Sequence, residues 1–530
     1  MGKTWILMVT CAIMLSGMEA FACTGLLVGK KASVDGSVMI SYAADSHTLY
    51  GELYRWSAAT WPKGAMLDII EWDTHKPLGQ IPQVEQTYSV VGNMNEHQVA
   101  ITESTFGGRP ELVDTTGIMD YGSLIYVTLQ RSKTAREAIR IMTDLVKDYG
   151  YYSSGETFSI ADKNEAWVME MIGKGPGNKG AVWVAIRIPD DCISAHANQS
   201  RIQQIPFDDK ENCIYSPDVV SFAREKGYFS GRDKDFSFQK AYCPYDFSAL
   251  RGCEARVWSF FRKYDKSMDQ YMDLIKGDVM KKPMPLYVKP DRLLSVRDVQ
   301  NGMRDHFEGT DLDMTKDAGA GPYKVPYRWR PMTFEVDGQE YTNERAIATQ
   351  QTGFVIVPQM RNWLPDAVGG ILWFGVDDAD MAVFTPIYCS VTASPECYRV
   401  GNGDMMNFSW TSAFWIHNWV ANMAYGKYSY MIQDIRLVQQ ELENSYQQTI
   451  PAVDKAASEL YAKNPAEAVK FLTWFSSTTA DQATARWKKL GEYLLVKYMD
   501  GNVKKEENGH FKQNGYGLSE YPDFPGSVSY

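Results

Sequence analysis

Basic residues are in short supply in this chain: 54 lysines and arginines stand against 65 aspartates and glutamates, for a formal net charge of -11 at pH 7. A protein that grips a phosphate backbone needs a basic face, so nucleic acid is not an expected partner. Histidine is scarce as well, with 7 in 530 residues. His75, His97, His196, His306 and His417 each stand alone, outside any nucleophile-elbow context and without metal-ligand spacing. They read as structural or surface histidines, and neither a metal nor another cofactor is expected. Past the first two dozen residues no apolar run approaches the roughly 20 residues that a bilayer span requires, so no membrane span is expected. The acidic stretch EGTDLDMTKDAG, residues 308–319, fits no calcium-loop spacing and reads as a solvated loop. Internal repeats and long linkers are missing too, which favours one elaborated domain.

What the chain does have begins at its first residue. MGKTWILMVTCAIMLSGMEAFA carries Lys3 ahead of an apolar run that starts at Trp5 and ends near Leu15, then closes on Ala20-Phe21-Ala22. That is the layout of a signal peptide over residues 1–22, with small residues at the positions a signal peptidase reads. Cleavage there makes Cys23 the first residue of a periplasmic or secreted protein. A lipoprotein signal would also present a cysteine first, but it prefers a leucine-like residue three positions earlier, where Ala20 stands. A free terminal cysteine is therefore favoured over a lipidated one. Loss of Cys11 with the signal leaves seven cysteines, and an odd number in an oxidising compartment leaves one thiol unpaired. Short spacings favour Cys243 with Cys253 and Cys389 with Cys397, leaving Cys192 with Cys213 and a spare Cys23; the alternative is that several are simply buried and reduced.

After Thr24 the runs TGLLVG and SVMISY flank a polar, glycine-containing connection, a hairpin signal. With the turn near Ser33 and Val34, antiparallel pairing brings Cys23 opposite residues 44–46, and Asp45 beside it. Further strands are expected at 86–91, 98–102, 157–161, 166–171 and 181–188, and a helix at 134–149, where Ala138, Ile139, Met142 and Val146 recur at helical spacing. Strands and helices do not alternate strictly, so an α+β class with a layered sheet suits better than a doubly wound parallel sheet. The core is expected to run from 23 to 410. A helical part follows to residue 500, with helices at 412–425, 428–444, 451–463 and 464–499, and then a polar, glycine-rich tail over 501–530.

An N-terminal cysteine has a particular chemistry. Its thiolate is the nucleophile, and its own α-amine, with an ordinary pKa of about 7.7 to 8.0, lies within reach as a base. One residue then supplies both functions, and no catalytic histidine is required.

The sequence resembles the dipeptidase A and secernin group of cysteine-type peptidases, within the N-terminal-nucleophile hydrolases. The resemblance covers nearly all of the mature chain. It is carried by CTGLLVGKKASVDGSVMISYAADSH, IPQVEQTYSVVGNMNEHQVAITEST, ADKNEAWVMEM, ISAHANQSRI, CEARVWSF and WKKLGEYLLVKY, in that order. It implies a four-layer αββα sandwich, with helices outside two stacked antiparallel sheets, and amide hydrolysis of small peptides, most simply dipeptides. It also implies roles. Cys23 is the nucleophile, Asp45 bonds the region of the α-amine, Asn198 helps form the oxyanion hole, and Arg256 sits close to the thiol and favours its ionised form. Asn95, Glu96 and Glu103 fall in a block that lines the site. Taken singly, Asp45 and Asn198 would read as cap or turn residues and Arg256 as a surface ion pair. The pattern also departs from the group, which carries arginine, asparagine and glutamate where Tyr42, Ala43 and Ala44 stand here. Tyr42, placed at the substrate, supplies no fixed positive charge, and that widens the substrate class to other N-acyl amides. An exported binding protein lipidated at Cys23 is the non-enzymatic alternative, and a homo-oligomer is left open.

Overall fold

A computed structural model describes residues 23–328 and 332–512. The signal peptide expected over residues 1–22 and most of the tail lie outside the described residues. Two eight-stranded antiparallel sheets form the frame. The first contains the strands Gly25–Val28, Val38–Ile40, Tyr42–Asp45, Ile193–His196, Thr352–Met360 and Gly370–Val376; the second is built around Ala100–Gly107, Gly155–Ala161, Ala166–Gly173 and Ala181–Ile188. The class is α+β.

Side-chain alternation explains the arrangement. Along Gly25–Val28, Leu27 joins one apolar cluster while Leu26 and Val28 join another. Along Ala166–Gly173, Val168 and Ile172 turn toward Leu27, Val38 and Ile40 of the first sheet, and Trp167, Met169 and Met171 turn the other way. Period-2 alternation with both faces apolar requires cover on both faces. The second sheet meets the first on one face and the helices Tyr121–Leu129 and Ala135–Tyr149 on the other. The first sheet's other face is covered by Ala255–Arg262 and the long helices near the C-terminus. Helix Ala135–Tyr149 starts where the sequence places it, capped by the Thr134 side chain on the Glu137 N–H, and stops at Gly150 with φ of 80°.

Strands 166–171 and 181–188 are observed nearly as expected. The expected strand at 86–91 instead breaks into Gln86–Thr87 and Val90–Val91, which pair with different partners. The expected helices at 428–444 and 451–463 are one helix, Tyr428–Lys463, running through Pro451. A proline inside a helix loses one backbone bond and costs about 3 kcal/mol. Burial of Tyr446, Ile450, Val453 and Ala457 on one face offsets that loss and keeps the register. The three expected disulfides are not formed, and all seven described cysteines are free. Each thiol has its own surroundings: Cys389 donates to Asp366 O at 3.3 Å, Cys243 to Phe106 O at 3.7 Å, and Cys192 lies 3.7 Å from Asp191 Oδ1. Cys243 and Cys253 do line one depression, yet both stay thiols, Cys243 facing Phe106 O and the Gln199 amide. Of the tail, Glu506–Glu507 and His510–Phe511 form a small hairpin. No helix among the described residues is long and apolar enough to cross a membrane.

Candidate active site

The first hairpin sets the position of Cys23. Leu27 pairs with Ile40 and Val28 with Met39, and the bridge between Thr24 and Ala43 continues that register. Cys23 therefore stands opposite Ala44, at the near edge of the window expected from the sequence. Its sulfur is buried and accepts a bond from the Asp45 backbone N–H.

Two further groups reach the sulfur. Tyr42 Oη lies 3.5 Å away and Glu103 Oε1 3.6 Å away, and the tyrosine hydroxyl donates to that same Glu103 oxygen. Tyr42 belongs to the first sheet and Glu103 to the second, so the thiol sits where the sheets meet. Thr102 Oγ1 donating to Ser41 O at 3.3 Å ties the strands at this point. Burial, then the charges of Glu103 and Asp45, push the Cys23 thiol well above its ordinary range. The resting group is the thiol, and its proton must be taken by a base.

The carboxyls are layered behind it. Glu156 lies on the neighbouring strand, bonded by Thr105 Oγ1 at 2.5 Å, and burial together with the charge of Glu103 pushes it well up. Two buried carboxyls side by side cannot both ionise, so Glu156 stays protonated beside Glu103. The Asp45 carboxylate is held by Arg345 Nη2 at 2.5 Å and Thr352 Oγ1 at 2.7 Å, although burial outweighs the arginine and leaves its pKa raised.

Arg256 lies at the start of helix Ala255–Arg262, which follows a π-helical turn at Ala249–Glu254. It is no surface residue: it is 1% exposed. One guanidinium donates to Cys23 O and Thr24 Oγ1, each at 2.8 Å, to Asn198 Oδ1 at 2.9 Å, and to Ala197 O and Gly252 O. Burial, followed by the nearby Arg345, pulls its pKa down to about 10. Asn198 adopts φ of 54°, a left-handed conformation that asparagine tolerates, and its Nδ2 donates to Thr105 O at 2.7 Å. Two residues earlier, His196 spans the sheets between Ser104 Oγ at 2.6 Å and Ser159 Oγ at 2.7 Å. Burial, helped by Arg201 and Arg256, pulls it down to about 3, so it is neutral. Its ring occupies the space that a side chain at Gly25 would need, since a Cβ there would lie 2.5 Å from Nε2.

A cavity of about 400 Å³ opens onto Cys23, and Tyr42, Asp45 and Glu103 also line it. Asn198 lines a separate depression bordered by Arg109 and Cys253, and the buried Arg256 bridges it to the Cys23 carbonyl. Asn95 and Glu96 do not line the Cys23 cavity. The Asn95 amide donates to Leu129 O and Ser132 O and accepts from the Val99 N–H, and Glu96 accepts from the Ser89 N–H. They hold a turn, while Gly92 and Asn93 just before it reach the cavity. The sequence reading passed over Glu156 and Arg345, and also the wall formed by Tyr54, Trp56, Trp72, Asp73 and Tyr126. The one sequence signal for that wall is the 13% aromatic content, which is compatible with an aromatic-lined cleft but does not locate it. Among the described residues no group of three or more His, Cys, Asp or Glu side chains is arranged to hold a metal ion.

A cavity lined by a buried thiol and buried carboxyls, in an α+β frame, has the groups that an amide hydrolase needs. The profile of peptidase family C69 matches residues 22–58 and 52–441, and the chain is a member of that family. It is 27% identical over 486 residues to a probable dipeptidase of Latilactobacillus sakei, covering 87% of this chain and 92% of the relative. It is 26% identical to a probable dipeptidase of Salmonella dublin, over 71% of this chain and 83% of the relative. Dipeptidase A of Lactobacillus helveticus is 24% identical, over 81% and 86% respectively.

Proposed function

We propose that this protein is a dipeptidase that hydrolyses a peptide amide with Cys23 as nucleophile, after removal of residues 1–22 outside the cytoplasm has freed the Cys23 α-amine. The observation that carries this is the placement of the Cys23 sulfur at the floor of the cavity, between Tyr42 and Glu103. The names of the relatives supply the substrate class. The layering of helices, two antiparallel sheets and helices supports the αββα sandwich of N-terminal-nucleophile hydrolases, with the C-terminal helices part of the same unit through one continuous apolar cluster. Burial of the sulfur also speaks against a lipid anchor on it, since an acyl chain there would have to fill the cavity.

In this reading the thiol proton passes to the freed α-amine. The carboxylates that oppose a lone thiolate stabilise the resulting ammonium, so the two charges form together. The sulfur attacks the carbonyl carbon, and the oxyanion is met by a backbone N–H and by Asn198 Nδ2, which rests on Thr105 O of the cavity lining and turns from it toward the bound carbonyl. The ammonium returns its proton to the leaving amine as the C–N bond breaks, leaving a thioester. Water, deprotonated by the α-amine, adds to the thioester and releases the acid and the thiol. Arg256 positions Cys23 and Asn198 relative to one another.

The test is intact mass and N-terminal sequencing of purified, active protein, alongside turnover of dipeptide and N-acyl amide panels. A free Cys23 at the N-terminus with dipeptide turnover is expected. An active form beginning elsewhere, or with Cys23 acylated, rejects the mechanism; turnover confined to N-acyl amides rejects the substrate class.

A further inference from the structure

The cavity that leads to Cys23 carries a charge pattern of its own. Asp45, Glu52, Asp73, Glu103 and Asp404 line it, and no lysine or arginine among the described residues does. Asp45 is already neutralised by Arg345. Across the cavity the others face no lysine or arginine, and His75 is the one histidine of the lining. At the position where the group carries arginine, Tyr42 uses its hydroxyl to donate to Glu103. Such a cavity repels a carboxylate entering beside the thiol.

The walls add an independent observation. Trp56 and Tyr126 stack with centroids 5.0 Å apart, Trp72 packs edge-on against Tyr54 at 4.8 Å, and Trp72 lies 6.4 Å from both Trp56 and Tyr126. These four half-buried rings line the cavity beside Asp73, whose Oδ1 accepts from Tyr121 Oη at 3.0 Å. Aromatic faces attract a cation, and more strongly when it is shielded from water. Deeper in, Glu103 is 2% exposed, and apart from the neighbouring Glu156 carboxyl no donor among the described residues serves its Oε2. A buried carboxylate oxygen whose one close donor is a neighbouring carboxyl still gains from a cation brought near it.

We propose that the wall formed by Tyr54, Trp56, Trp72, Asp73 and Tyr126, with Glu103 behind it, is a subsite for a positively charged group of the substrate, an ammonium or a guanidinium. The inference rests on the dipeptidase reading for its substrate and narrows it: substrates enter with a cationic group in this cavity and keep their carboxylate outside it. Two sources have this chemistry, the α-ammonium of the peptide and a basic side chain.

Binding and turnover are measured separately so that the two readings fail separately. Full-length, processed Cys23→Ala protein is titrated by intrinsic tryptophan fluorescence and calorimetry with lysyl-alanine, norleucyl-alanine and N-acetyl-lysyl-alanine. If the side chain is the ligand, norleucyl-alanine binds at least about tenfold more weakly than lysyl-alanine; if the α-ammonium is, the acetylated peptide does. In Asp73→Asn, and separately in Trp72→Phe, that preference shrinks toward unity while the thermal midpoint stays within a few degrees of the parent. Should the three peptides bind within threefold of one another, or should both variants keep the full preference, the subsite is refuted. Peptide turnover by the protein with Cys23 intact tests the dipeptidase reading on its own. If that turnover is missing while the charge preference in binding persists, the function falls and the subsite stands.

Discussion

Arg256 offers a demanding test of how this site is built, because one buried guanidinium joins three segments that are far apart in sequence. It bonds the Cys23 carbonyl and Thr24 just before the first strand, Asn198 on the turn after the strand Ile193–His196, and Gly252 in the π-helical turn. Arg256→Met retains most of the apolar stem and removes all five bonds. A hydrogen bond from a charged donor contributes roughly 1.5 to 3 kcal/mol, but water and small shifts recover part of the loss. A net destabilisation of about 3 to 5 kcal/mol is expected. For a chain of this length the unfolding entropy is about 1 kcal/mol per degree, so the midpoint should fall by about 3 to 5 °C. The measurements are calorimetry or urea unfolding, followed by steady-state kinetics at a temperature where the variant is fully folded. There, kcat should drop by roughly 100-fold, since the Asn198 side chain is no longer held relative to Cys23, whereas KM should change by less than about threefold. Arg256→Lys, which restores the charge but not the fork, should recover stability more than kcat. A destabilisation under 1 kcal/mol, or a loss appearing only in KM, would show that the guanidinium does not organise the site.

Four other outcomes are expected. Cys23→Ser should reduce dipeptide hydrolysis to background with a circular dichroism spectrum and midpoint close to the parent's, because a hydroxyl fits the same space but is the weaker nucleophile; retained turnover moves the chemistry elsewhere. Asn198→Ala should lower kcat by roughly 100- to 1000-fold if its amide meets the oxyanion, and a change under threefold removes it from that role. In unprocessed chain still carrying residues 1–22, alkylation of Cys23 should rise about tenfold per pH unit from 7 through 9 without levelling, because its thiol is held well above the ordinary range and the reactive thiolate fraction keeps growing; a plateau below pH 8 contradicts the assigned environment. Thiol titration of denatured, non-reduced mature protein should find seven free thiols, and dithiothreitol should leave the thermal midpoint unchanged; a midpoint that falls on reduction would reveal a bridge.

Much of the frame could be read from local pattern. Strand 181–188 and the Thr134-capped helix were legible because period-2 and period-3.6 apolar spacing, with a cap and a glycine stop, reflect local geometry. The errors arose where a local rule was overruled at a distance. Pro451 reads as the first residue of a separate helix, but burial of Ile450 and Val453 carries one helix through it. The cysteine spacings suggested bridges, but the thiols instead donate to backbone carbonyls, Cys243 to Phe106 O and Cys389 to Asp366 O. Asn95 belonged to a block associated with the site, yet its amide is consumed by Leu129 and Ser132 carbonyls in a turn.

The sequence by itself determined that Cys23 begins a hairpin and that residues near Asp45 lie across from it, since register in a short antiparallel pair follows from the turn and the alternation of faces. It could not determine what surrounds the sulfur. Glu103 comes from the other sheet, 80 positions along the chain, and the Arg345 that holds Asp45 comes from 300 positions away. Trp56, Trp72 and Tyr126 meet only when a strand, a turn and a helix pack together. Local spacing fixes which face a side chain takes; its charged and aromatic neighbours depend on how the two sheets stack, and that is decided by burying apolar surface throughout the molecule.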